Sequence, residues 1–213
     1  MGCVTQNISY NKEASEKVFT GSPVNDGWFP GERSFPAETK NSVFKSTPYR
    51  KGNTPEGYTY TIYPDGSAGL RISENDFLTG WSINCRVDPI TDHRNCSLSS
   101  SATALFISYS DSNSPEYICI VGHDFPSRKG AIRIDAETAI TTDETGCISG
   151  KYARKMSEGA MVTTRKYKWP YDYPSDLKGS LAGVKRAMDM VSFIRNNIDK
   201  ISFDERNSSL DRL

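Results

Sequence analysis

The stretch GWSINCRVDPITDHRNCSL, Gly80 to Leu98, decides the fold. Two β-type runs, Trp81 to Cys85 and Arg94 to Leu98, flank a polar connection that carries a proline, which is how a hairpin is written in sequence. Cys85 and Cys96 close the two arms with ten residues between them. Antiparallel pairing through so short a connection brings them opposite one another, at a separation that a cross-strand disulfide can span.

Strand signals continue on both sides. TYTIY and AGLRI surround Pro64-Asp65-Gly66-Ser67, where glycine supplies the positive φ of a tight turn. ATALFISYS, Ala102 to Ser110, is apolar enough for a buried strand. Asp111 to Pro115 turns it round, and Tyr117 to Val121 returns. Ala131 to Asp135 alternates after a further turn. Gaps of this length leave no room for crossover helices, so the expectation is all-β, mainly an antiparallel sandwich or partial barrel. Beyond Cys147, Ser149 caps a short helix through Tyr152, Ala153 and Met156, stopped by Gly159. AMVTTRKYKW then alternates as a strand, with Met161, Thr163, Arg165, Tyr167 and Trp169 on one side, and the segment Pro170 to Pro174 ends it. Leu181, Val184, Met188, Val191, Ile194 and Ile198 recur at helical spacing, which predicts a helix from Ser180 to about Asn197 packed on the sheets.

Composition sets the boundaries. Only 36% of the 213 residues are hydrophobic and the mean hydropathy is -0.57. The first fifty residues account for much of this, with Pro, Gly, Ser and Asn crowding out any apolar period. Residues 1–57 therefore read as a polar, mostly irregular tether in which some segments dock as an extra edge strand, 58–203 as the folded domain, and 204–213 as a frayed tail. Twenty-six cationic residues balance 26 acidic ones, so no net field draws in nucleic acid or an anionic membrane. No run of eighteen apolar residues occurs.

Four of the five cysteines, Cys85, Cys96, Cys119 and Cys147, lie in the β-rich part. Nearest-neighbour pairing joins Cys85 to Cys96 and Cys119 to Cys147, contributing about 3 and about 3.5 kcal/mol by loop-closure entropy. The alternative is four buried thiols. Two bridges imply an extracytoplasmic compartment: periplasmic, outer-membrane-anchored or secreted. Cys3 stands apart after Gly2, in a context similar to the end of a bacterial lipoprotein signal, so a lipid at Cys3 would be the chain's membrane association.

These motifs together resemble the invasion-associated locus B family of bacterial envelope and secreted proteins. The Trp-led strand into Cys85, Cys96-Ser97-Leu98, Gly146-Cys147, the short helix before a strand and Gly179-Ser180-Leu181-Ala182-Gly183 carry the resemblance, over about residues 75 to 195. It implies a disulfide-stabilised β-sandwich outside the cytoplasm and, for the founding member of the family, a part in host-cell invasion, and it brings no catalytic residues. The family often places the partner of the Gly-Cys cysteine a few residues upstream, whereas the available partner in this chain is Cys119.

Candidate chemistry is sparse. His123-Asp124 is the pair best suited to acid–base work, yet neighbours on a strand point apart and loops collect such residues for turns. No GxSxG elbow accompanies either His93 or His123. Asp88 and Asp92 lack the ligand pattern of a calcium loop and read as turn residues, and no CxxC pair suggests zinc. No cofactor and no metal are expected. Cations and aromatics interleave only at Arg165, Lys168, Trp169, Tyr171 and Tyr173, a patch suited to a protein or glycan partner. The plainer account is a two-faced strand whose lysines face water and whose aromatics pack on the carboxyl-terminal helix. The leading expectation is thus a non-enzymatic envelope protein that binds a partner, with host-cell interaction or invasion as the setting the resemblance implies; the alternatives are a hydrolase-like enzyme using His123 and Asp124, and a purely structural periplasmic module.

Overall fold

The computed structural model describes residues 33–36, 50–63, 65–73 and 79–198. Among the described residues thirteen strands form two antiparallel sheets. The large sheet runs β1 (Arg33–Pro36), β2 (Arg50–Asn53), β3 (Thr59–Ile62), β4 (Ser67–Arg71), β5 (Trp81–Val87), β6 (Arg94–Ser100), β7 (Leu105–Tyr109), β8 (Tyr117–Ile120) and then β11 (Cys147–Ser149). The small sheet has the order β10 (Ile140–Thr141), β9 (Ala131–Ile134), β12 (Met161–Lys168), β13 (Tyr171–Ser180). A 3-10 turn, Gly150–Tyr152, leads into α1 (Ala153–Glu158), and α2 spans Val184–Asn196. The chain is all-β with helices packed on it, as its patterning requires.

Local chemistry makes these elements. The β3–β4 turn uses Gly66 at φ +81°, where an added Cβ would lie 2.3 Å from the Cys85 carbonyl oxygen, while the Asp65 carboxylate accepts from the Ser67 amide at 2.9 Å. At the β5–β6 tip Asp88 is a turn residue: its Oδ1 accepts from the amides of Ile90 and Thr91. Ser149 accepts from the Lys151 amide at the start of the 3-10 turn. The Gly159 amide donates to the Lys155 carbonyl and closes α1.

Alternation then builds the core. Tyr60, Ile62, Leu70, Trp81, Ile83, Leu98, Leu105, Ile107, Ile118 and Ile120 fill the inner face of the large sheet. Helix α2 lies over β5 and β6 with Val184, Ala187, Met190, Val191 and Ile194 buried, and β12 approaches β8. Trp81 Nε1 donates to the Ala182 carbonyl at 2.8 Å and ties the central hairpin to the approach of that helix. Both disulfides are closed, between directly opposed residues: Cys85–Cys96 with Cα atoms 4.1 Å apart, and Cys119–Cys147 with 4.0 Å. These bridges fit an oxidising, extracytoplasmic compartment. Among the described residues no helix is long and apolar enough to cross a membrane.

The structure adds to the expected pattern at two places after β12. The Pro170 to Pro174 segment ends β12, and from Tyr171 the chain continues as β13, a ten-residue edge strand that the sequence reading did not include. Proline is tolerated because Tyr171 pairs with Lys168 and Ser175 with Lys166, so Pro174 lies in the irregularity between the two registers. The second helix begins at Val184 instead of Ser180, since β13 runs through Ser180 and Gly183 turns the chain at φ +74°. Strands β1 and β2, from residues 1–57, extend the large sheet at one edge, as segments that dock as an extra edge strand would. Cys3 and the 204–213 tail lie outside the described residues.

Candidate aromatic interaction site

The β12–β13 hairpin projects past the core, with every residue from Tyr171 to Lys178 exposed. At its end Trp169, Tyr171 and Tyr173 are 59, 56 and 63% exposed, far more than such large side chains usually are. The Tyr171 and Tyr173 rings lie 5.8 Å apart, as expected for alternate residues of a strand. Trp169 meets Phe125 edge-on with ring centroids at 5.2 Å.

The loop 122–130 carries this tip. His123 is buried at 8% exposure, and both ring nitrogens have backbone partners: Nδ1 accepts from the Tyr167 amide at 3.2 Å, and Nε2 lies 3.0 Å from the Arg128 carbonyl. A carbonyl only accepts, so Nε2 carries the proton and the ring is the neutral Nε2–H tautomer. Gly146, at φ +80°, lets the ring sit against the backbone, because an added Cβ would be 2.7 Å from the His123 Cβ. Asp124 accepts from the Trp169 amide through Oδ1 at 2.8 Å, and its own amide donates to the Tyr167 carbonyl. Arg128 pairs with Asp172 and lies 5.8 Å from the centre of the Tyr167 ring. His123 and Asp124 thus grip successive backbone groups of the hairpin, not one another. Two surface grooves, one beside Tyr117, Cys147 and Tyr152 and the other on the outside of the large sheet, are lined by neither residue.

Of the five residues suggested by sequence, Lys168, Trp169, Tyr171 and Tyr173 share the hairpin end, where Lys168 is the register partner of Tyr171. Arg165 sits farther down. Its Nε and Nη2 each donate to Asp176 at 2.7 Å, a bidentate pair that holds the Asp176 carboxyl below the usual carboxylate range. Packing of the aromatics on the carboxyl-terminal helix is not observed. Val162 and Thr164, from the side expected to face water, are the buried ones, because β12 turns that side toward the large sheet, where the Thr164 hydroxyl donates to the Thr103 carbonyl. Phe125, Arg128 and Asp172 were not legible as site residues: Arg128 and Asp172 stand 44 positions apart and meet only through the fold.

No family model, curated protein or solved structure matches the chain. Among the described residues no group of three or more His, Cys, Asp or Glu side chains could hold a metal ion.

Proposed function

We propose that the chain is a non-enzymatic, envelope-associated binding module, periplasmic, outer-membrane-anchored or secreted, whose β12–β13 tip engages a protein partner. One observation carries the reading: three large aromatic side chains stand together in solvent at the end of a hairpin braced from below by a dedicated loop. Clustered Tyr and Trp are the residues that most often anchor protein interfaces, since each buries much apolar area while ordering few torsions. Bracing by His123 and Asp124 lowers the entropy lost on association, and Lys168, without an ion-pair partner in the described residues, favours an acidic rim. The use of His123 and Asp124 as braces supports a binder over a hydrolase. The resemblance to the invasion-associated locus B family agrees with this reading and suggests the surface of a host cell as the place where the partner is met.

The test is adhesion of labelled protein to cultured epithelial cells. Tyr171→Ala with Tyr173→Ala is expected to weaken adhesion by at least about fivefold, about 1 kcal/mol, while the near-UV spectrum stays native in form. Unchanged adhesion sinks the reading. Loss of adhesion after glycosidase but not protease treatment of the cells moves the partner from protein to glycan.

A further inference from the structure

The outer face of the large sheet holds a second surface of different chemistry. Strands β5 to β7 turn Asn84, Arg86, Asn95, Ser97, Phe106 and Ser108 outward, alternating with the buried core positions. No outward position of these strands is a carboxylate. Register assembles the middle of this face into adjoining rows: Arg86 beside Asn95, then Asn84, Ser97 and Ser108, then Ser82, Ser99 and Phe106. A groove of about 540 Å³ follows them, lined by Asn84, Arg86, Asn95, Ser97, Phe106 and Ser108 and bounded by the turn Val87–Pro89.

The groups lining this groove are unspent. Within the described residues the side chains of Asn84, Arg86, Asn95, Ser97 and Ser108 have no hydrogen-bond or ion-pair partner in the protein. Asp88, the carboxylate at the rim, turns its Oδ1 to the amides of Ile90 and Thr91 at 2.9 and 2.8 Å and makes no ion pair with Arg86 among the described residues. The groove therefore offers a guanidinium without an ion-pair partner in the described residues, hydroxyl and amide groups that both donate and accept, and one aromatic ring.

We propose that this groove binds a carboxylate-bearing oligosaccharide. Sugar hydroxyls, which are donors and acceptors at once, match the Ser and Asn side chains. A uronate carboxylate matches the planar fork of Arg86, to which a neutral sugar has no comparable answer. Phe106 provides an apolar surface for the C–H face of a ring, and the volume lies in the range of small-molecule sites. The site is distinct from the hairpin tip and does not depend on it.

Titration with a galacturonic acid hexamer, followed by backbone amide NMR with maltohexaose as the neutral control, tests the proposal. The acidic hexamer is expected to shift the amides of Ser97, Phe106 and Ser108 with a Kd at or below about 1 mM, and to lose affinity as salt rises. Arg86→Gln, at an exposed position, should weaken binding at least tenfold with the melting temperature unchanged, and Ser108→Tyr should fill the groove and block binding. The Tyr171→Ala, Tyr173→Ala protein should bind the hexamer as the native chain does, which separates this site from the tip. The proposal is overturned by absence of shifts at these amides, by equal affinity for maltohexaose, or by native affinity in either groove variant.

Discussion

The β5–β6 and β12–β13 hairpins are both antiparallel pairs with a proline at or near the turn, and the molecule uses them oppositely. In β5–β6 one face is driven into the core: Trp81, Ile83, Cys85, Cys96 and Leu98 are all buried, and a disulfide joins opposed residues under α2. In β12–β13 the burial stops at Val162 and Thr164. From there the hairpin is held by polar contacts at its sides, Arg165 with Asp176, Arg128 with Asp172, and His123 with Asp124 on its backbone, while its aromatics face solvent. A hairpin that supplies core gains stability from the rings it buries; one that keeps them in water leaves their burial to a partner.

The largest expected effect lies in the first hairpin. Replacing Cys85 and Cys96 by Ala should lower unfolding free energy by about 3 kcal/mol in urea denaturation, from the freed loop alone. A loss under about 1 kcal/mol would mean that core burial holds the pair without the bridge, and the contrast between the hairpins would weaken.

His123→Ala comes next. It removes two hydrogen bonds to backbone and leaves a gap against Gly146, so a destabilisation of about 2 kcal/mol is expected, with Trp169 fluorescence altered as its support loosens. Native stability in this variant would show that the tip stands without its brace.

A smaller, pH-dependent term ties the β2–β3 turn to α2. Arg186 Nε donates to both Glu56 oxygens, at 2.9 and 3.0 Å, and this hydrogen bonding holds the Glu56 pKa down at about 2. A folded value below the usual 4.5 means that the contribution is full above that pH and is lost as the pH falls toward 2. Glu56→Gln should therefore cost under about 1 kcal/mol at neutral pH, the pair being partly exposed, and the gap to the native chain should close in acid. A gap that is independent of pH would assign the loss to something other than the carboxylate.

The smallest effect on stability is expected at the tip itself. Tyr171→Ala with Tyr173→Ala should change unfolding free energy by no more than about 0.5 kcal/mol, as exposed positions do. A larger loss would place these rings in the core and erase the difference between the two hairpins.

Alternation and cysteine spacing suffice for much of this chain. Period-two burial in strands β3 to β8, the Asp65-Gly66 turn and the Cys85–Cys96 opposition follow from rules that act over a few residues, and they were legible for that reason. Strand β13 was not legible, because Tyr171 to Lys178 bury nothing and carry a proline: with no apolar alternation, only pairing with β12 makes the segment a strand. The same limit applies to the sites. Trp169, Tyr171 and Tyr173 could be named from composition, but the support of the tip by His123 and Asp124 depends on contacts across 44 and 45 positions. The row of unpaired Ser, Asn and Arg groups on the large sheet is equally a product of register across β5, β6 and β7. Local sequence sets which face a residue takes on its own strand; which residues become neighbours, and whether a polar group finds a partner or is left for a ligand, is decided only when the strands pair.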